Sequence, residues 1–344
     1  MSVKEFSYNG SGHAATQLRH LTIRQLRSLA ALSAKGSVTA ASTQLGLTQP
    51  AVTQQLRQLQ DLAGLPLVQR TGDGMLLTEA GREVLALAER VEAAITDCQG
   101  ALDLLAGRTG GTVHLGAVST AKYFVPRAIA AFSKRHPKIE IKLSIGNREE
   151  IREAMHGYDL DCAVMGRPPA DVSVDVRQLG RNPHVIIARK GHWLEKDSGL
   201  SLTDLVHETF LTREPGSGTR TLMEGMFQKS DLEPIIGMEM SSNETIKQAV
   251  IAGLGIAFIS AHTVAHELAE GRLVVLDVAG LPIVRQWYVI RRSDKVLLPP
   301  AQAMFDFLGS EGANYLPDVP EFGARSSAAV SSSASSRPSP PERE

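Results

Sequence analysis

The sequence is 344 residues long, so two or three domains are expected rather than one small domain. A hydrophobic content of 43%, a charged content of 21% and a net charge of −1 are typical of a soluble globular protein. Two cysteines, Cys98 and Cys162, are too few for a disulfide framework and indicate a reducing compartment. The longest apolar run, residues 249–261, is shorter than the roughly 20 residues of a membrane span. We therefore expect a cytoplasmic protein with no membrane partner.

The charge is distributed unevenly along the N-terminal third of the chain. Residues 19–82 contain seven Lys or Arg and three acidic residues, whereas residues 83–103 contain five acidic residues and one Arg. A basic module followed by an acidic helix indicates a local anion-binding surface.

Residues 18–78 show the pattern of a winged helix–turn–helix. A helix is predicted over residues 22–34, and a short second helix, capped by Ser37 or Thr39, ends at Gly46. A third helix follows, capped by Thr48, with Pro50 in its first turn. Extended segments 67–70 and 75–77 flank "TGDG", a hairpin-turn signal. Residues 1–17 before this module and about 310–344 at the other end are predicted to be disordered. The tail is rich in Ser, Ala and Pro and lacks the apolar residues to build a core.

A single long helix is predicted from about residue 79 to residue 107. Its apolar residues step by four and three along a heptad seam: Val84, Ala88, Val91, Ile95, Cys98, Leu102 and Leu105. Such a seam, on a helix that links two domains, favours self-association. The alternative is a helix that packs against its own domain, and a buried, inert Cys98 fits either interpretation.

Residues 111–309 alternate between strand and helix patterns, which predicts an α/β region with mainly parallel sheets. The paired prolines of residues 166–175 predict a crossover between two lobes. We expect lobe I to span about 111–166 and 268–309, and lobe II about 167–267.

The third helix has an unusual polar face. On a helical wheel Val52, Leu56 and Leu59 share the buried side. The opposite arc carries these residues: Pro50, Thr53, Gln54, Arg57 and Gln58. Glutamine can read adenine edges, arginine suits guanine or phosphate, and no carboxylate lies on the arc because Asp61 falls beyond it. The alternative is a solvated helix that is merely rich in glutamine, but the neighbouring helix, wing and basic excess favour DNA reading.

The stretch from "LTIRQLRSLAALSAKG" through "TQPAVTQQLRQL", "G-PL--R" and "LTEAG" closely resembles the DNA-binding module of LysR-type transcriptional regulators. The resemblance covers residues 21–78, and a linker helix and α/β effector domain follow in the family's order. It implies DNA contacts by the following residues: Thr48, Gln49, Pro50, Thr53, Gln54, Arg57 and Arg70. Two departures, Gln60 in place of a common glutamate and "LVQR" before the wing, predict slightly altered packing.

The resemblance also implies an effector domain like a periplasmic binding protein, with a ligand cleft between two α/β lobes. "VSTAKYFVPRAIAAFSKRHPKIEI" and "VIIARKGHWL" are most similar to the branch that regulates RuBisCO (Calvin-cycle) operons. That branch implies a phosphorylated or anionic metabolite as effector and no cofactor. Residues at strand–helix junctions are the candidate contacts: Ser119, Thr120, Asn147, Arg167, Arg213, Ser217, Thr219, Asn243 and Thr245. Ordinary helix capping is the alternative role at each junction.

Enzyme motifs are incomplete in this sequence. "GSGTRT" lacks the lysine of a P-loop, "GLGIAF" ends in Phe where a dinucleotide fingerprint has Gly or Ala, and G-x-S-x-G is absent. His262 and His266 could share a helix face, but two unconnected surface histidines are favoured over a metal site.

We therefore predict a metabolite-responsive regulator and no enzyme activity. The expected partners are double-stranded promoter DNA with dyad symmetry, a small-molecule effector and a second copy of the chain in a homodimer or homotetramer, with RNA polymerase as a further candidate. The target operon would serve carbon fixation or a related one-carbon assimilation pathway. The competing hypothesis is a cytoplasmic small-molecule-binding protein or enzyme whose helical N-terminal domain does not bind DNA.

Overall fold

The structure is a computed structural model that describes residues 18–72, 74–107 and 110–320. The described chain divides into two compact units. Unit 1 holds residues 18–118, 125–179 and 288–314, and unit 2 holds residues 119–124, 180–287 and 315–320.

The N-terminal module of unit 1 is a winged helix–turn–helix, as predicted. Its elements are α1 (Ile23–Lys35), α2 (Val38–Leu45), α3 (Gln49–Ala63), β1 (Val68–Thr71) and β2 (Gly74–Leu77). Ser37 accepts a hydrogen bond from the backbone of Ala40 and so caps α2, and Gly46 ends that helix in the left-handed conformation with φ of 64°. The wing strands pair antiparallel, and Asp73 of their turn lies outside the described residues.

The core of this module confirms the predicted buried face of α3. Val52, Leu56 and Leu59 are buried against apolar residues of α1, including Leu26 and Leu29. Helical spacing places these three side chains on one side of α3, so its remaining faces are left to polar residues.

Helix α4 (Glu79–Leu105) is the predicted linker helix. Val84 and Ala88 are buried in the core of the winged module, and Val91 packs against that core. The remainder of the seam is exposed in the single chain: Ile95, Cys98, Leu102 and Leu105. Packing against its own domain therefore describes the first part of the seam, and self-association stays a prediction for the exposed part. The expectation of a buried Cys98 is wrong for the isolated chain.

Polar contacts also join α4 to both of its neighbours within unit 1. Arg27 of α1 makes a two-pronged ion pair with Glu92, with N–O distances of 2.6 and 3.0 Å. Five residues further along the helix, Asp97 lies 3.8 Å from the ammonium of Lys295, which also donates to Asp161 at 2.8 Å. One helix thus contacts the DNA-binding module and the first part of the α/β region.

The α/β part of unit 1 is built around strand β3. Its elements are β3 (Thr112–Val118), α5 (Val125–Arg135), β4 (Glu140–Gly146), α6 (Arg148–His156), β5 (Cys162–Met165), the first part of β6 (Val174–Arg189), the last part of β11 (Ile283–Arg292) and α10 (Pro299–Glu311). Strand β3 pairs parallel with β4 and β5, whereas β11 pairs antiparallel with β5. Cys162 is fully buried in β5 as expected, and burial raises the pKa of its thiol.

Unit 2 has two apolar cores. Its elements include β7 (Thr209–Arg213), α7 (Gly218–Lys229), β8 (Ile235–Met240), α8 (Asn243–Ile251), β9 (Ala257–Ser260), α9 (Ala265–Ala269) and β10 (Leu273–Val275). Alternate residues of β6 contribute to different cores: Val185 and Ile187 to one, Ile186 and Ala188 to the other. This period of two shows that the middle of β6 is buried on both faces. Strand β6 pairs antiparallel with β9 and β10, and β7 pairs parallel with β8, so the expectation of mainly parallel sheets holds only in part.

Two predicted boundaries differ from the structure. The chain passes between the units after residues 179 and 287, inside the long strands β6 and β11, rather than near residues 167 and 268. Residues 119–124 also belong to unit 2. The proline-rich segment was a misleading signal, because the connections lie inside continuous strands. Within β6 the turn-type residues Gly180, Asn182 and Pro183 directly follow the first crossing.

The predicted tail begins later than expected. Residues 310 and 311 end α10, Gly312–Tyr315 form a 3-10 turn, and Val319 packs against one core of unit 2. The predicted disorder of residues 1–17 and 321–344 lies outside the described residues.

A candidate DNA-reading face and a candidate effector pocket

The polar face of α3 is fully available to a partner. The resemblance assigns six residues to this face, and all six are exposed in the structure: Thr48, Gln49, Pro50, Thr53, Gln54 and Arg57. Arg70 on β1 is exposed as well. A shallow recess on this face is lined by Gln49, Pro50, Thr53, Gln54, Arg57, Gln58 and Asp61. The expectation that Asp61 lies beyond the face is wrong. Asp61 follows Arg57 by four residues, which places both side chains on the same side of the helix.

Thr48 stands at the N-cap position of α3 but does not cap it. Its side chain makes no capping hydrogen bond within the described chain, and Gln49 and Pro50 form the first turn of the helix. The predicted cap is therefore wrong in its chemistry, and the exposed Thr48 hydroxyl is left for an external partner.

Gln60 anchors the wing to α3. Its side-chain oxygen accepts hydrogen bonds from the backbone N–H groups of Leu67 and Val68, at 3.0 and 3.4 Å. The amide supplies the same acceptor as the glutamate common at this position, which explains why the departure is tolerated. At the opposite end of the hairpin the backbone N–H of Met75 donates to the carbonyl of Gly36, so the wing is held at two points.

A buried arginine organises the candidate effector residues of unit 2. Arg213, at the end of β7, is only 2% exposed. Its Nη1 donates to the Ser119 hydroxyl at 3.1 Å and to Oδ1 of Asn243 at 2.8 Å. Its Nε and Nη2 donate to the two carboxylate oxygens of Glu214, at 2.7 and 2.8 Å. Three residues predicted separately therefore form one hydrogen-bonded group.

The Arg213 group leaves specific donors unused. Asn243 is completely buried, and its Nδ2 has no hydrogen-bond partner among the described residues. Because Ser119 accepts from Arg213, its own hydroxyl hydrogen remains able to donate. An unused amide N–H and an O–H beside a buried guanidinium are suited to an acceptor-rich ligand.

The other candidate residues are more dispersed. Ser217 and Thr219 are buried at the start of α7, and Thr120 is buried next to Ser119, whereas Thr245 is exposed. In unit 1, Asn147 accepts from the backbone of Glu150 at 3.0 Å and caps α6, and Arg167 is exposed. The alternative of ordinary capping thus describes Asn147.

The sequence did not reveal a second buried charged group one turn along α8. Lys247 donates to Glu267 at 2.7 Å, pairs with Glu244 at 2.8 Å and lies 4.9 Å from the centre of the Tyr123 ring. Burial lowers the pKa of Lys247, but the hydrogen bonds that its ammonium donates to Glu244 and Glu267 raise the pKa above the ordinary value. Burial also raises the pKa of Tyr123 to about 12. The position of Lys247, four residues after Asn243 on the same helix, was the only signal in the sequence for this group.

His262 and His266, the two candidate metal ligands, lie in different environments. His262 is buried and accepts a hydrogen bond from Nε1 of Trp287 at 3.0 Å, so the expectation of two surface histidines is wrong for it. His266 is exposed. The searched part of the chain holds no group of three or more His, Cys, Asp or Glu side chains that could bind a metal ion.

No helix of the described residues is long and apolar enough to span a membrane.

Two family models match this chain. The model described as the LysR substrate binding domain matches residues 106–313, and the bacterial regulatory helix-turn-helix protein model of the lysR family matches residues 23–82. This chain belongs to the LysR family. The predicted resemblance and fold class are confirmed, and the LysR-type transcriptional regulator described here combines a DNA-binding helix–turn–helix with an effector-binding domain.

This regulator is similar to several curated relatives over almost its whole length. It is 48% identical to the HTH-type transcriptional regulator CbbR of Xanthobacter flavus, covering 88% of this chain and 91% of the relative. It is 41% identical to the RuBisCO operon transcriptional regulator of Allochromatium vinosum, covering 85% and 96%. Among solved structures, the Synechocystis CcmR regulatory domain in complex with 2-PG shares 36% identity with a TM-score of 0.56. That match covers 58% of this chain and 96% of the other.

Proposed function

We propose that this LysR-type regulator controls an operon for carbon fixation or a related one-carbon assimilation pathway. The observation that carries the proposal is its 48% identity, over 88% of the chain, to the CbbR regulator of Xanthobacter flavus. We expect the protein to act in the cytoplasm on promoter DNA, with RNA polymerase as a further partner at the promoter and without catalytic activity of its own.

The exposed face of α3 is the proposed reader of the promoter. Gln54 and Arg57 would hydrogen-bond base edges in the major groove, because their side chains are long, exposed and chemically suited to purines. Thr48, Gln49, Pro50 and Thr53 would contact the groove wall or phosphates nearby. Arg70, on the wing, would contact the DNA backbone.

Self-association would pair two such modules. Ile95, Leu102 and Leu105 expose apolar surface along the seam of α4, with Leu105 86% exposed. Covering that surface with a second copy of α4 removes it from water and places two α3 helices to meet a site of dyad symmetry. We propose a homodimer, or a homotetramer built from two such dimers.

The proposed effector site is the group around Arg213. Nε, Nη1 and Nη2 of this arginine all donate hydrogen bonds within the protein, so we propose that it orients the Ser119 hydroxyl and the Asn243 amide toward an anionic metabolite. Thr120, Ser217, Thr219 and Thr245 are proposed as further contacts in unit 2. Asn147 and Arg167 of unit 1 stay predictions. The complex of the CcmR regulatory domain with 2-PG supports an effector of this kind.

The DNA assignment is tested by band shifts with the promoter fragment of a carbon-fixation operon and a scrambled fragment. Gln54→Ala and Arg57→Ala should each reduce the preference for the promoter by about tenfold, because each removes a base contact. Arg70→Ala should weaken binding to both fragments equally. The matched control is Arg181→Ala, which removes the same charge from an exposed position of unit 2. Unchanged binding by all three variants would show that the face is wrongly assigned.

The effector assignment is tested by the thermal shift of the full chain with 2-PG and with inorganic phosphate. An effector of the proposed kind should raise the melting temperature of unit 2. Ser119→Ala and Asn243→Ala should abolish the rise, whereas Gln248→Ala, an exposed variant on the same helix as Asn243, should retain it. A rise that survives both pocket substitutions would place the ligand elsewhere.

A further inference from the structure

Gln25 lies on α1, next to the reading helix α3. Its side-chain amide has a fixed orientation. Gln25 is the third residue of α1 and is 7% exposed. Its Oε1 accepts a hydrogen bond from the backbone N–H of Thr22 at 2.8 Å, while its own backbone N–H donates to the Thr22 hydroxyl. A backbone N–H can only donate, so the atom of Gln25 that faces Thr22 must be the oxygen.

This capping box determines what Gln25 offers to α3. With its oxygen committed to Thr22, Gln25 turns its Nε2 toward Gln58 and donates to Oε1 of Gln58 at 3.4 Å. The oxygen of Gln58 is thereby engaged, and its Nε2 is the group left to face outward. Gln58 is exposed and lines the same recess as Gln54 and Arg57.

We propose that Gln25 is a positioning residue that makes Gln58 a donor-only contact on the DNA-reading face. A donor-only glutamine fits an acceptor on DNA, either a phosphate oxygen or the O6 and N7 edge of guanine. It is poorly placed for the two-pronged pair with adenine, which requires a donor and an acceptor together, because its oxygen is directed at Gln25. The inference rests on the proposed DNA-reading role of this face.

Two other glutamines of α3 provide internal comparisons. Gln54 has no side-chain hydrogen bond among the described contacts, so it can turn either group toward a base. Gln55 accepts from the Ser28 hydroxyl at 2.9 Å. A hydroxyl can donate or accept, so Ser28 does not impose an orientation on Gln55. Of these, Gln58 alone is tied through its partner to a backbone N–H.

The deciding variant is Gln25→Glu. A carboxylate at this position still accepts from Thr22 and so preserves the capping box, but it can only accept from Gln58. Gln58 must then turn over and present its oxygen to the DNA. We expect the affinity for the promoter to fall roughly fivefold, the usual size of one lost hydrogen bond. The melting temperature should stay at the wild-type value, because the cap of α1 is intact.

A double-mutant cycle with Gln58→Ala separates orientation from added charge. If orientation is the cause, Gln25→Glu has little effect once Gln58 is alanine, whereas a general repulsion by the new carboxylate would persist in that background. Fluorescence anisotropy on the promoter, on single base-pair variants of it and on unrelated DNA supplies the affinities. An equal loss on every DNA assigns the acceptor to phosphate, and a loss confined to variants that keep one G·C pair assigns it to guanine.

The outcomes also separate this inference from the proposed face. If Gln54→Ala and Arg57→Ala behave as proposed but Gln58→Ala binds like wild type, the donor role of Gln58 is wrong and the face stands. If Gln58→Ala weakens binding while Gln25→Glu does not, Gln25 does not orient it. If none of these substitutions changes binding, the face itself is wrong.

Discussion

The reading face of α3 and the hydrogen-bonded group around Arg213 are both made of polar side chains, but their hydrogen-bonding groups have different partners. On α3 the side chains of Thr53, Gln54 and Arg57 are exposed and come from one continuous helix. Around Arg213 the side chains are buried or half-buried and hydrogen-bond to one another from three separate segments. The first region therefore keeps its groups free for a partner, whereas the second uses most of its groups to hold a few donors in place.

The largest expected effect follows from removing the centre of the buried group. Arg213→Met keeps much of the volume but leaves Glu214 and Asn243 without their donor, so unit 2 should lose about 3 kcal/mol of unfolding free energy. Both tryptophans, Trp193 and Trp287, lie in unit 2, so their fluorescence during denaturation reports this unit. Arg181→Met is the matched exposed control and should change stability by less than about 0.5 kcal/mol. Equal stabilities of the two variants would show that the buried group is not structural.

A smaller effect is expected from mild acid, again confined to unit 2. Burial lowers the pKa of both His184 and His262 from 6.5 to about 4. Protonation therefore favours the unfolded chain: the stabilisation is complete above pH 6.5 and is lost as the pH falls toward 4. At pH 4 the loss is on the order of 3 kcal/mol per histidine, and at pH 5.5 it is about 1 kcal/mol.

The winged module provides the control for the acid experiment. Its described residues contain one histidine, His20, which is exposed. Tryptophan fluorescence should therefore show unit 2 melting at lower temperature between pH 7.5 and 5, while DNA binding by α3 changes much less. A pH-independent melting temperature would indicate that the two histidines are hydrated in solution.

The smallest effect is expected at the anchor of the wing. Gln60→Leu leaves the backbone N–H groups of Leu67 and Val68 without their acceptor, so the winged module should lose about 1–2 kcal/mol. Gln60→Glu retains the acceptor and should match the wild type. Circular dichroism melts and promoter affinity would measure both variants. If Gln60→Leu matches Gln60→Glu in stability and affinity, the wing does not depend on this anchor.

The difference between the two regions also explains what could be predicted from the sequence. The buried face of α3 follows from its local period, so Val52, Leu56 and Leu59 were placed correctly. The link between Ser119 and Arg213 joins residues 94 positions apart, and no spacing in the sequence indicates it. The helical wheel predicts Asp61 beyond the polar arc of α3, but Asp61 lines the recess on that face because it follows Arg57 by four residues. The crossing points between the units lie inside strands, where the sequence pattern predicts no domain boundary, although Gly180, Asn182 and Pro183 directly follow the first of them.

The length of α4 has a mechanical consequence. At 1.5 Å per residue its 27 residues form a rod about 40 Å long. Arg27 holds one part of the rod to the winged module, and Lys295 holds another part to the α/β region of unit 1. The first residue of α4, Glu79, lies 18 residues and therefore about 27 Å from Asp97. A tilt of about 7° at Asp97 moves that end of the helix by about 3.3 Å, which is close to the rise of one base pair along DNA. A small rotation of α4 at Asp97 would thus shift a reading helix by about one step of the sequence that it reads.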